Sequence, residues 1–306
     1  MSVARRFLNP WLRMVEKRRL SKAPPQAIRR ALELQARLFF HGPRGADRRW
    51  SAYGRVPCLH IKPRCVQPRR VLFYIHGGGF VFGSPDTHAA MVAQLCQRTG
   101  ARAVLPKYRL APEAPFPAAQ QDVRAAWDGL IAEGVRPADI VLGGDSAGGA
   151  LAFSLIATLC AEARCSESSA LPGAVFSFSP LTDMTHSGQS FIDNADSDVL
   201  LPAERATALG EMFLQGHTGD DPCVSPLFAQ FAGGPPVWIT VGNTEILLDD
   251  SRRLAMRLRE QGVAVDLSER HDLPHVWPLF HNILPEARET LDALGLWIRQ
   301  RQGWEF

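Results

Sequence analysis

The chain has 306 residues, of which 46% are hydrophobic and 21% charged, with a formal net charge of +3. That composition excludes a disordered chain and fits one large or two ordinary globular domains. The charge is uneven: from Met1 to Trp50 thirteen Lys/Arg face three acids, yet no recognition motif accompanies them, so nucleic acid is excluded as a partner.

The N-terminal run "MSVARRFLNPWLRMVEKRRL" carries arginines where a signal peptide would need its apolar core, so a cytoplasmic location is expected. Residues 5–22 and 25–40 read as two amphipathic helices separated by Pro24 and Pro25. In the second, Ile28, Leu32, Leu34, Leu38 and Phe39 lie close to helical spacing, with Arg29, Arg30 and Arg37 between them. The basic surplus reads as a solvated helix face, with room for weak peripheral attraction to an anionic membrane. An Arg/Gly loop is expected over 41–49, and "SAYGRVPCLHIKP" (51–63) as an antiparallel edge.

The pattern then changes to an alternation. Short apolar runs at 71–77, 101–108, 139–145, 174–180, 237–243 and 264–270 read as strands, the central ones buried on both faces. Helical segments at 87–99, 117–133, 148–163, 249–261 and 284–302 separate them. This is an α/β protein with a mostly parallel sheet and right-handed crossovers. The longest apolar run, around 150–163, is short of the roughly 18 residues of a membrane span, so no stable membrane insertion is expected. Cys58, Cys65, Cys96, Cys160, Cys165 and Cys223 form no CxxC pair, so buried thiols are expected and a metal site is not.

The alternation breaks between Leu181 and Phe231, where no convincing strand occurs. An insert after a strand end lies over the carboxyl ends of the strands, where open α/β sheets bind ligands. The expected organisation is therefore a helical cap part at 1–50, a catalytic part at 51–180, a cap insert at 181–225 and a second catalytic part at 226–306.

"IVLGGDSAGGAL" (140–151) contains G-x-S-x-G between an expected strand and an expected helix. Ser146 would sit on a sharp turn that projects its hydroxyl, with flanking glycines avoiding collisions. A serine hydroxyl is a weak nucleophile and needs a base, and the base needs an orienting carboxylate. Loops after later strands supply both. His275, beside Pro274, is the preferred base, with His271 as the alternative. Glu245 is the preferred acid because it lies nearest its strand end, with Asp249 behind it. The glycine triplet in "FYIHGGGFVFGS" (73–84) offers backbone donors for an oxyanion, through Gly78 and Gly79, and Ala147 would add a third. A phosphate cradle at Ser84 lacks the required GK[ST].

These stretches, with "YRLAPEAPFPAAQQDV" (108–123), "GNTEILLDDS" (242–251) and "LPHVWP" (273–278), resemble the hormone-sensitive-lipase-like esterases of the α/β-hydrolase fold. The resemblance implies an eight-stranded, mostly parallel sheet under a helical cap. It implies hydrolysis of short- to medium-chain acyl esters of a small molecule, with no cofactor. Ser146, His275 and the donors Gly78, Gly79 and Ala147 match the family's positions. Glu245 stands where many members have aspartate, and Ile246 where many have proline. His76 matches a residue that shapes the oxyanion loop. Asp145 is expected to hold the nucleophile turn, and Arg109 with Glu113 to form a pair behind the site. Relatives that pair through an edge strand point toward a homodimer. An amidase or N-deacetylase using the same triad is the alternative reaction, and a ligand receptor on this fold would typically lack the histidine. Phe80, Phe82, Phe191, Phe213 and Trp277 are candidates to line an apolar pocket.

Overall fold

The computed structural model describes residues 2–165 and 171–304. The strands in chain order are Asp47–Tyr53 (β1), Val56–Lys62 (β2), Val71–Ile75 (β3), Arg102–Pro106 (β4), Ile140–Asp145 (β5), Ala174–Phe178 (β6), Val237–Gly242 (β7) and Val265–Arg270 (β8). They form one sheet in the order β1-β2-β4-β3-β5-β6-β7-β8. From β4 to β8 neighbours run parallel, while β2 is antiparallel to both β1 and β4.

The helices are Val3–Trp11 (α1), Arg18–Lys22 (α2), Pro25–Phe39 (α3), Pro85–Thr99 (α4), Ala118–Ala132 (α5), Ala147–Cys165 (α6), Ser190–Asp193 (α7), Ala203–Leu214 (α8), Leu248–Glu260 (α9) and Pro285–Gln302 (α10). A π-helical stretch, Leu12–Lys17, joins α1 to α2, so the chain runs as one helix through the segment expected at 5–22. Pro10 lies inside α1 just before it and removes an N–H from the ladder there.

Two hydrophobic layers sandwich the sheet. Phe73 and Ile75 of β3 pack with α5, α6 and α9 on one face, while Leu72 and Tyr74 pack with α4 and α10 on the other. Successive strand side chains point to opposite faces, and both faces here are covered, so β3, β5 and β6 are buried at every position.

Four expectations change. β1 begins at Asp47, inside the expected loop; six of its seven residues are exposed, so an edge strand had no apolar alternation to announce it. The apolar run expected to be too short for a membrane span belongs to the 19-residue α6, long and apolar enough by length and composition to cross one; here it is mostly buried between the sheet and α5. Three of the cysteines expected to be buried, Cys65, Cys165 and Cys223, are exposed. Arg109 and Glu113 are not partners. Arg109 binds the buried Asp122 carboxylate through its backbone N–H, Nε and Nη2, and Glu113 pairs with Arg29 of α3.

Phe73 is fully buried, edge-on to Trp127 with ring centroids 5.8 Å apart. Replacing it with alanine leaves a cavity in the larger core cluster, so Phe73→Ala is expected to cost about 3–5 kcal/mol of unfolding free energy in urea titration. A loss below about 1 kcal/mol would show that this core collapses around the gap.

Candidate active site

The site is assembled at the carboxyl ends of β3, β5, β6, β7 and β8. Ser146 follows β5 and begins the turn into α6 with φ +51°. Its N–H donates to the Phe178 carbonyl and its carbonyl accepts from Leu181, so the end of β6 fixes the turn. Glycine is required on either side. A Cβ on Gly144 would lie 2.4 Å from the Gly148 carbonyl oxygen, and one on Gly148 would lie 2.1 Å from that of Ile75. The first turn of α6 therefore lies against the end of β3 with no space for a side chain.

The same strand end opens the glycine loop. Gly78 has φ +120° and Gly79 φ +57°, and a Cβ on Gly78 would meet the Phe82 carbonyl oxygen at 2.1 Å. The Gly78 carbonyl accepts from Val81 and Phe82, which closes the loop, and no described hydrogen bond engages the N–H of Gly78 or Gly79. Ala147, as the first residue of α6, has an N–H with no intrahelical acceptor. Among the described hydrogen bonds these three amides thus have no acceptor, and Gly78 and Gly79 line the same cavity as Ser146.

Asp145 ties this loop to the turn. Its Oδ1 accepts from the Tyr74 hydroxyl at 2.7 Å and the Gly77 N–H at 3.0 Å, and His88 Nε2 lies 3.3 Å from the carboxylate. Burial opposes the charge, but the adjacent His88 and the Tyr74 bond hold the carboxyl below its usual range. Its anion in turn raises His88 against the effect of burial. His76 behaves differently. Burial and the neighbouring His88 push it down to about 3, so it is neutral, stacked on Tyr108 at 4.2 Å with Nδ1 near the Gly77 carbonyl.

On the opposite side, His275 Nδ1 lies 2.6 Å from Glu245 Oε2, and both groups are buried. Glu245 Oε1 accepts from the Ser179 hydroxyl at 2.8 Å and the Gly242 N–H at 2.6 Å, which fixes the carboxylate. Burial pulls the imidazole down, but the bond to Glu245 and its charge outweigh it and raise His275 above its ordinary value. Among the described hydrogen bonds none joins His275 to the Ser146 hydroxyl; both groups line one cavity. The alternatives lie elsewhere. Asp249 sits in the first turn of α9, where its Oδ2 accepts from Ser190, and His271 is exposed beside Asn243.

The cavity measures about 670 Å³ and is walled by Leu8, Leu12 and Leu32 from the N-terminal helices, Leu201 and Leu209 from the insert, and Val276. Phe80 and Phe82 line it as expected, but Phe191, Phe213 and Trp277 do not. Phe213 stacks behind Phe80 at 3.8 Å, Phe191 stacks on His186, and the Trp277 indole donates to Thr290 in the core.

Sequence reading gave no part to four groups. Tyr74 and His88 are hidden in a buried strand and a helix, with nothing local to mark them. Ser179, at φ +45°, belongs to a strand-end "SP" whose hydroxyl gains meaning only beside Glu245. Asp198 is fully buried in the insert, accepting from Leu200, Leu201 and Ile246. Burial, then the nearby Glu245, raise its pKa. Its bonds to the second and third following amides are the one local signal, that of a capping turn.

Residues 72–279 match the α/β-hydrolase fold family. The chain is 34% identical to an acetyl-hydrolase of Streptomyces hygroscopicus, over 84% of this chain and 88% of that protein. It is 33% identical to an esterase of Acinetobacter venetianus, over 87% and 86%. A crystal structure of an esterase from the bacterial hormone-sensitive lipase family superposes with a TM-score of 0.90 at 35% identity, over 99% of both chains.

The glycine packing predicts a sharp intolerance. Gly148→Ala places a methyl against backbone oxygens that cannot rotate away. It is expected to lower the melting temperature and abolish turnover, whereas Gly134→Ala, at an exposed position with open space but φ +88°, is expected to cost only a modest amount of stability. Full activity in Gly148→Ala would refute the close approach.

Proposed function

The chain belongs to the hormone-sensitive-lipase-like esterase family of the α/β-hydrolase fold, and we propose that it hydrolyses short- to medium-chain acyl esters through a covalent acyl-enzyme. The observation that carries this reading is the buried pair of Glu245 and His275, 2.6 Å apart, on the wall of the apolar cavity that also holds Ser146.

In the proposed mechanism Ser146 Oγ attacks the ester carbonyl carbon while His275 Nε2 takes its proton. Glu245 accepts the Nδ1–H, which selects that tautomer and stabilises the imidazolium as it forms. The developing oxyanion is received by the N–H groups of Gly78, Gly79 and Ala147; one such donor is worth roughly 3 kcal/mol in the transition state. Collapse of the tetrahedral intermediate expels the alcohol, protonated by His275. Water then attacks the acyl-enzyme with the same base and the same donors. The hydrogen bond from Ser146 to His275 forms when substrate fills the cavity, since catalytic hydrogen bonds are often long or unmade before substrate binds. The two leucine-rich segments over the sheet edge, within 1–50 and 181–225, serve as the cap, and their apolar walls favour an aliphatic acyl chain over a charged one.

Two measurements test this. Ser146→Ala is expected to reduce hydrolysis of p-nitrophenyl butyrate by about 10⁶-fold while the melting curve is unchanged. A matched p-nitroanilide is expected to react far more slowly; faster turnover of the anilide would replace the ester reading by the amidase one.

The pH dependence gives an independent check. The base form of His275 is neutral, and Glu245 raises its pKa above the ordinary histidine value. Activity is therefore full above that raised pKa and lost as pH falls through it. Glu245→Gln removes the raising charge, so the acid limb of kcat/KM is expected to move to lower pH while kcat drops on the order of 10³–10⁴-fold. An unmoved acid limb would take Glu245 out of the mechanism.

A further inference from the structure

We propose that the N-terminal helices form a docking face for an anionic lipid surface, placed around the mouth of the cavity. Of the thirteen large hydrophobic residues that are exposed among the described residues, eight fall between Val3 and Phe39. On α1 they form one stripe, Val3, Phe7 and Trp11, at successive i, i+4 positions, continued by Met14 on the π-helical stretch. On α3 Leu34 and Leu38 form the same spacing, next to Phe39. Phe7 is 74% exposed and Phe39 55%, yet both also line the cavity, as does the 44% exposed Ile283 from the segment before α10. The apolar stripe and the apolar cavity are thus continuous.

Charge says what covers this face. Arg6, Arg18, Lys22, Arg30 and Arg37 are exposed on the same helices and take part in no described ion pair. The two acids in this stretch face inward: Glu16 is buried against Arg19 and Gln35, and Glu33 binds the Ser84 hydroxyl. The outer face therefore carries cations and apolar side chains without a counter-charge. A second copy of the chain paired across this face would oppose cations to cations. A surface of anionic headgroups over acyl chains meets both features, the cations at the headgroups and Phe7, Met14 and Leu38 below them. The consequence rests on the ester-cleaving reading: an ester dissolved in lipid would reach Ser146 along apolar walls without crossing water.

Co-sedimentation of the full chain with vesicles tests the docking without using activity. The protein is expected to pellet with vesicles of phosphatidylcholine containing phosphatidylglycerol. It is expected to stay in the supernatant with phosphatidylcholine alone, and to be released by high salt. The combined variant Met14→Glu, Leu34→Glu, Leu38→Glu touches no cavity-lining residue. It is expected to lose pelleting while hydrolysing dissolved p-nitrophenyl acetate like the parent. Arg6→Gln, Arg30→Gln and Arg37→Gln together are expected to weaken binding to the anionic vesicles by about two orders of magnitude, about fivefold per cation. Failure of the parent to pellet with anionic vesicles overturns the proposal. So does equal pelleting of the Glu variant, or a parent dimer in sedimentation velocity that the Glu variant dissolves. Loss of ester turnover in the parent with pelleting intact would instead overturn the enzymatic reading alone.

Discussion

A single buried carboxylate holds two turns in register. Asp145 ends β5 immediately before Ser146, and its oxygens receive the Gly77 N–H and the Tyr74 hydroxyl, with His88 alongside. A buried anion without partners would cost several kcal/mol, so this position is tenable only because three donors converge on it. The convergence has a geometric result. The Gly77 N–H belongs to the loop that carries the free amides of Gly78 and Gly79, and the carboxylate belongs to the turn that carries Ser146. Fixing one to the other sets the glycine loop's position relative to the Ser146 turn, the geometry on which the proposed oxyanion site depends. Gly148 completes the constraint, because without a Cβ the start of α6 can close onto the Ile75 carbonyl.

Strain gathers at the same place. Seven described non-glycine residues have positive φ, and four of them adjoin the site: Phe80, Ser146, Ser179 and Val276. Val276 is β-branched and directly follows His275, where a left-handed backbone is costly. Such conformations persist when surrounding structure over-determines them. The Glu245 carboxylate supplies that here, since it holds His275, Ser179 and Gly242 at once. Asp198 adds a link to the insert by accepting the Ile246 N–H, and Lys17 donates to the carbonyls of Ala195 and Asp198. Hydrogen bonds thereby link the N-terminal helices, the insert and the loop after β7 that carries Glu245.

The middle of the sheet was legible because β3, β5, β6 and β7 are buried on both faces and read as largely apolar runs. The turn at Ser146 and the glycine loop were legible as backbone because they demand glycine, a requirement that leaves a local mark. What escaped was set by contacts distant in sequence. β1 is an exposed edge with no pattern of its own. Arg109 stands near Glu113 along the chain, but its partner Asp122 lies further on, in α5, and Arg29 comes from the N-terminal segment. Tyr74 and His88 carry polar atoms into an apolar layer, and only the folded position of Asp145 explains them.

The N-terminal segment presents apolar side chains both to the cavity and to the outside. Leu8, Leu12, Leu20 and Ile28 are buried, and Leu8, Leu12 and Leu20 form part of the cavity wall. Arg29 fixes α3 to the glycine loop by donating to the Val81 and Ala111 carbonyls at 2.7 Å. A helix that only covered a cavity would be polar on its outer side. Here the outer side is apolar as well, and burying those side chains in the protein itself would be favoured at about 25 cal/mol per Å². The fold leaves them outside, beside the opening and among cations with no described ion pair, which is the arrangement that the proposed lipid surface would cover.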